Sequence, residues 1–229
     1  MSNSVNQTIE GIEENFNLYT ESLNKLRSFL NEFEQIDIFY KTININFNID
    51  DISTFKNQIN FTGFLTVSIL DLLVVSKNII VSKYQWERIN QLKLGCMIIY
   101  EAIRTYHSHK EISSLAKNDS KSNELYKSIS SDLKAFKNEF DYPKTFNKIR
   151  NAIIAHVKAD FKSYYDTVSK IDGDKYFNAI IAFLQILFKM QELSKYLSDT
   201  LTLQKADEAF NINRLLNEMS EKMTERLNE

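Results

Sequence analysis

The chain of 229 residues holds one cysteine, Cys96, one proline, Pro143, and four glycines. A lone thiol excludes an intrachain disulfide and a cysteine-built zinc site. So few glycines and prolines argue against an all-β chain, whose closely spaced turns consume both. The opening residues, MSNSVNQTIEGIEENF, lack the basic start and apolar stretch of a secretory signal. The most apolar run, FLTVSILDLLVV at 64–75, is too short to span a bilayer and carries Asp71 in its middle. One thiol and no export signal point to a reducing cytoplasm, with no membrane partner. P-loop, GxGxxG, HExxH and GxSxG patterns are missing, and no cofactor is expected. Three histidines, His107, His109 and His156, make a poor metal set with Cys96. His107 and His109, two apart, would point to different sides of a helix and read as polar histidines near its end.

What is present is helical. Val5, Ile9, Ile12, Phe16, Tyr19, Leu23, Leu26, Leu30 and Phe33 recur in steps of four and three. That seam predicts a long amphipathic N-terminal helix, packing within the chain or against a second copy. Residues 36–49 change to a period of two through Ile43, Ile45, Phe47 and Ile49, which suits a strand or, in preference, an extended loop. Asp50 and Asp51 are candidate caps for a helix to about Ser76, with Gly63 permitting close packing inside it and a break near 76–78. Further helices are predicted over about 84–117 and 124–139, with NDSKSN at 118–123 as a polar loop and Tyr142-Pro143 as a stop. Thr145 can cap a helix from Phe146 to about Lys158. Asp172-Gly173-Asp174 opens a strongly apolar, central helix, and a last amphipathic helix covers about 204–227. The sum is an all-α bundle of about six helices in one domain over 1–229, with 1–49 as N-terminal helix and connector and 50–229 as the core bundle.

Net charge is −2, so no global basic footprint exists. Its distribution is uneven. Residues 1–54 set Lys25, Arg27 and Lys41 against nine acids. Residues 134–162 set Lys134, Lys137, Lys144, Lys148, Arg150, Lys158 and Lys162 against Glu139, Asp141 and Asp160.

That basic stretch surrounds KIRNAIIAH at 148–156. Arg150 and His156 frame it, with Asn151 directly after the arginine. An arginine and a histidine at such spacing arise by chance in about one chain in four, and Arg104 with His109 is a second instance. A polar Asn, Asp or His after the arginine cuts the rate to about one in twenty, which singles out Arg150 and His156. Phe146, Ile149, Ile153, Ile154 and Val157 form one apolar face, with Arg150 within it and His156 at its edge. A core-facing arginine needs a partner or a purpose, and a buried carboxylate such as Asp71 is one candidate partner.

The segment resembles the Rx4–6H motif of the HEPN superfamily, helical proteins that include many metal-independent endoribonucleases. The resemblance rests on about ten residues and the helical context. It implies RNA as substrate and a toxin or phage-defence setting. It also implies a homodimer whose two motifs meet across a cleft, and admits a regulatory protein such as an antitoxin as partner. Six residues span about 9 Å of helix, too far for one motif to enclose a phosphate, which also favours a shared cleft. The implied site is Arg150, Asn151 and His156, with His156 as acid–base group, Arg150 on the phosphate and Asn151 orienting. Lys148 and Lys158 would hold neighbouring phosphates. Toxin-type members with a tyrosine two residues after the histidine differ from this chain, which has Lys158 there. The alternative is a HEPN-like domain without catalysis that binds RNA, nucleotides or proteins.

Overall fold

The computed structural model describes residues 3–42, 49–155, 162, 165, 166, 169 and 171–227, with side chains over most of 6–32, 53–142, 144–150 and 171–200. Among these residues there are seven helices and no strand. They are α1 (Asn3–Thr42), α2 (Ile49–Val81), α3 (Gln85–Ser108), α4 (Lys110–Ala116), α5 (Ser120–Glu139), α6 (Tyr142–Ala155) and α7 (Gly173–Leu227). The all-α expectation holds, with one helix more than the count of about six.

The core forms where α2, α3 and α7 meet. Phe61, Leu65, Ile69, Leu72 and Val75 of α2 pack with Leu92, Ile99 and Ile103 of α3 and with Ile180, Phe183 and Leu187 of α7, all buried. Thr66 and Ser68 sit inside α2 because each hydroxyl bonds back to a carbonyl four residues earlier, at 2.8 and 2.9 Å. The predicted break at 76–78 is absent and α2 runs on to Val81. Its apolar span is therefore longer than the run at 64–75. Ser53–Val81 is long and apolar enough to cross a bilayer, and half of its most apolar 18-residue stretch is buried inside the bundle.

The N-terminal seam lies against this core. In α1, Ile9, Ile12, Phe16, Tyr19, Leu23, Leu26 and Leu30 are all withdrawn from solvent, whereas most of their neighbours are exposed. Lys77 pairs with Glu13 at 2.6 Å, and Phe188 stacks on Tyr19 at 6.5 Å. Helix α1 continues to Thr42, so the proposed extended connector is helical in its first part. Residues 43–48 lie outside the described residues, and Asp50 and Asp51 fall inside the first turn of α2 instead of capping it.

Helix ends carry the other differences. The predicted helix over 84–117 breaks at His109, where φ −80° and ψ 66° leave the helical region. Asp119 caps α5 through its bond from the Ser122 amide at 3.0 Å, so most of the NDSKSN segment is helix. The stop before α6 is Asp141, at φ 49°, a left-handed conformation that aspartate tolerates. Pro143 then sits in the first turn of α6, where its missing amide costs nothing, and Thr145 lies within that turn. Asp172 accepts from the Lys175 amide at 3.1 Å, as a cap should, but the apolar helix and the last helix predicted over about 204–227 are one continuous helix, α7.

Two glycines differ in what they do. A Cβ on Gly95 would meet Ile180 Cδ1 at 2.6 Å, so α3 and α7 approach closely there. Among the described residues a Cβ on Gly63 would meet nothing within 4 Å beyond its own helical turn, so the close packing expected at Gly63 is found instead at Gly95.

Candidate functional site

Helix α6 packs on α3, and its Phe146 and Ile149 are both buried, the Phe146 ring against Phe136 of α5 and Tyr176 of α7. The next residue, Arg150, is turned by one helical step to the margin of that contact, and its side chain is 29% exposed. Its Nε meets Glu101 Oε1 at 3.3 Å, and its guanidinium carbon lies 5.0 Å from the centre of the Tyr100 ring. The partner is thus a half-exposed glutamate on α3 and not Asp71, which is exposed on α2. A guanidinium stacks on an aromatic face while its fork remains free to bond in plane.

Glu101 also approaches Arg104 Nε at 3.5 Å. One carboxylate therefore joins both arginines that carry the Rx4–6H spacing. Tyr100 stacks on Tyr142 at 5.9 Å, and the Tyr142 hydroxyl donates to the Tyr100 carbonyl at 3.4 Å. Burial, with Tyr100 and Glu101 nearby, pushes the Tyr142 phenol up to about 12, so it stays protonated at neutral pH. Lys137 of α5 stands 5.8 Å from the Tyr142 ring centre and 3.0 Å from His107 Nε2. An ammonium has only donors, so it donates to Nε2 and the imidazole keeps its proton on Nδ1. Burial and Lys137 together lower the His107 pKa, and burial lowers that of Lys137.

The result is a continuous row, Arg104, Glu101, Arg150, Tyr100, Tyr142, Lys137 and His107, drawn from α3, α5 and α6. Lys148 is exposed on α6. Asn151 is helical, but its side chain lies outside the described residues, as do His156 and Lys158 altogether. Sequence reading located Arg150 and the basic stretch but missed Glu101, Tyr100 and Tyr142. No periodic signal links α3 to α6 across fifty residues. The only local hint was Glu101 one helical turn before Arg104.

His107 and His109 also depart from expectation. Because α3 ends at Ser108, the two no longer follow helical rotation, and both line one recess between the α3–α4 junction and Tyr126 of α5. His109 packs edge-on to Phe61 at 5.2 Å and flat on Phe64 at 5.7 Å. No family model, no curated protein and no solved structure matches the chain.

Proposed function

We propose that this chain is a HEPN-like, metal-independent endoribonuclease of toxin or phage-defence type, acting in the cytoplasm as a homodimer. The observation that carries the reading is the Arg150 guanidinium, stacked on Tyr100 at the edge of α6 and still partly open to solvent. A cation fixed in orientation but not sealed away suits capture of a phosphate and of the charge that grows on it. Lys137 stands over the Tyr142 ring, and Arg104 and Lys148 are exposed on α3 and α6; basic groups together with aromatic rings are the combination that holds single-stranded nucleic acid.

In the reaction, the 2′-hydroxyl of RNA loses its proton to a base as its oxygen attacks the phosphorus. The bond from phosphorus to the 5′-oxygen breaks, and that oxygen takes up a proton. A 2′,3′-cyclic phosphate and a 5′-hydroxyl result. His156 serves as the proton carrier, Arg150 as the phosphate ligand and Asn151 as the orienting amide. Lys148 and Lys158 bind flanking phosphates, and the second copy supplies the second motif. Glu101 favours one other reading. Its carboxylate already occupies part of the Arg150 fork, as it would in a HEPN-like module that binds RNA, nucleotide or protein without cutting.

The test is cleavage of single-stranded RNA by the purified protein in EDTA, with product ends analysed. Arg150→Ala and His156→Ala should each lower the rate about a hundredfold or more with the helical spectrum unchanged. Equal rates in wild type and both variants overturn the nuclease reading. RNA binding without cleavage in the wild type selects the binding module.

A further inference from the structure

The recess beside the α3–α4 break has a volume of about 300 Å³ and is ringed by Tyr106, His107, His109, Lys110, Ser113 and Tyr126. Among the described residues no carboxylate lines it. Its wall offers one ammonium, hydroxyls and two imidazoles, so donors predominate. Tyr106 is only 7% exposed, and its hydroxyl has no hydrogen-bond partner among the described residues. A buried phenol left without a partner costs stability unless something else accepts from it. Protein interiors rarely leave such a donor unused, and the Tyr106 side chain is one of those that line the recess.

We propose that this recess is a binding site for a small phosphate monoester, with the phosphate held by Lys110, Ser113 and the imidazoles and the organic part against the Tyr126 ring. The volume exceeds what a bare phosphate fills and suits a compact organic ester at the small end of ligand pockets. Three terminal oxygens can use more donors than a carboxylate offers acceptors for. Both imidazoles are held below their ordinary pKa of 6.5, His107 by burial and Lys137, His109 by burial with Glu111 opposing. A bound dianion reverses that balance, so ligand binding and imidazole protonation favour each other. The site stands apart from the Arg150 reading and does not rest on it. It meets the Arg150 row only at His107, which Lys137 holds.

The ester could be a free metabolite or the phosphorylated end of an RNA strand, and one experiment separates them. The C2 proton resonances of His107 and His109 are titrated with pH in the full-length protein, alone and with phenyl phosphate, benzoate, or a hexaribonucleotide bearing a 5′-phosphate or a 5′-hydroxyl. Phenyl phosphate should raise both midpoints and leave that of His156 in place. Lys110→Gln should weaken its binding about tenfold, the loss of one charge-assisted bond. Arg150→Ala should leave the shifts unchanged, even if that variant has lost all action on RNA. A response to the 5′-phosphorylated oligomer but not to its 5′-hydroxyl form assigns the site to RNA ends. A response to phenyl phosphate alone assigns it to a small metabolite. No movement of either histidine, or equal movement with benzoate, overturns the proposal. Should Lys110→Gln fail to fold, Ser113→Ala replaces it, and undiminished binding by that variant counts against the site as drawn.

Discussion

Arg150 and Glu101 face each other at 3.3 Å across the α6–α3 contact, with the arginine 29% and the glutamate 41% exposed. At that exposure water and salt screen the pair, and its net contribution to stability is about 0–1 kcal/mol. Its larger effect is on charge. A carboxylate beside the guanidinium repels any phosphate that approaches Arg150. Glu101→Gln keeps an acceptor for the arginine and removes the charge. The variant should unfold at a denaturant concentration close to that of wild type and bind single-stranded RNA about two- to fivefold more tightly at low salt. Fluorescence anisotropy over a salt series checks this. Weaker binding by Glu101→Gln would make the carboxylate a positioning group for Arg150 and not a competitor.

Gly95 and Gly63 should respond in opposite directions to the same change. Both lie inside helices, where alanine gains about 0.5–1 kcal/mol over glycine. At Gly63 nothing among the described residues opposes that gain, because beyond its own helical turn none of their atoms stands within 4 Å of the new Cβ. At Gly95 the new methyl meets Ile180 Cδ1 at 2.6 Å, Ile180 Cγ1 at 3.0 Å and Val75 Cγ1 at 3.2 Å. Ile180 and Val75 are fully buried, packed within the core. Overpacking of that kind costs about 1–3 kcal/mol and outweighs the helical gain. Urea unfolding should place Gly63→Ala above wild type and Gly95→Ala below it.

That pair of glycines marks what the sequence makes legible. The seam from Ile9 to Leu30 and the apolar run of α7 are periodic, and periodicity predicts a buried face without knowing the partner. Which glycine sits at a helix crossing depends on how α3 and α7 approach, information spread over residues eighty apart. The same holds at the candidate site. Arg150 stood out because a motif lies on one helix. Glu101 and Tyr100, which hold it, come from another helix fifty residues away. A continuous helix through 107 and 109 would put the two histidines on different sides. The break at His109 brings them to one recess. Boundaries are less legible than elements, as with α2 running past Ser76 and α7 joining the two helices expected at the C-terminal end.

The packing of His109 predicts a pH dependence. Its imidazole lies on Phe61 and Phe64, and burial holds its pKa below the ordinary 6.5, with Glu111 opposing in part. As pH falls through 6.5, the unfolded chain takes up a proton at this position before the folded one does. The unfolded state then binds more protons, so stability declines as pH falls. The decline ends below the folded pKa, where both states are protonated. Well above pH 6.5, where the imidazole is neutral in both states, the residue contributes no slope. His109→Gln removes this component. Urea unfolding between pH 7.5 and 5 should show a shallower loss of stability in the variant than in wild type, and equal slopes would refute the assignment.

The Thr62–Ser194 bond ties α2 to α7 at 2.6 Å, and its direction can be deduced. Thr62 Oγ1 spends its single proton on the Gln58 carbonyl, 2.9 Å away. Ser194 must therefore donate to Thr62. Ser194 is 2% exposed, so removing its acceptor strands a buried donor. Thr62→Val keeps the volume and removes that acceptor, and should cost about 1–3 kcal/mol. Ser194→Ala leaves Thr62 still bonded to Gln58 and should cost less, about 0.5–1.5 kcal/mol, the net worth of one bond. The double variant should be no less stable than Thr62→Val alone, because the serine hydroxyl that the valine strands is gone. A double-mutant cycle from urea unfolding measures all three values. Additive losses would show that the two hydroxyls act independently, each satisfied by its own helix, and that the bond between helices contributes little.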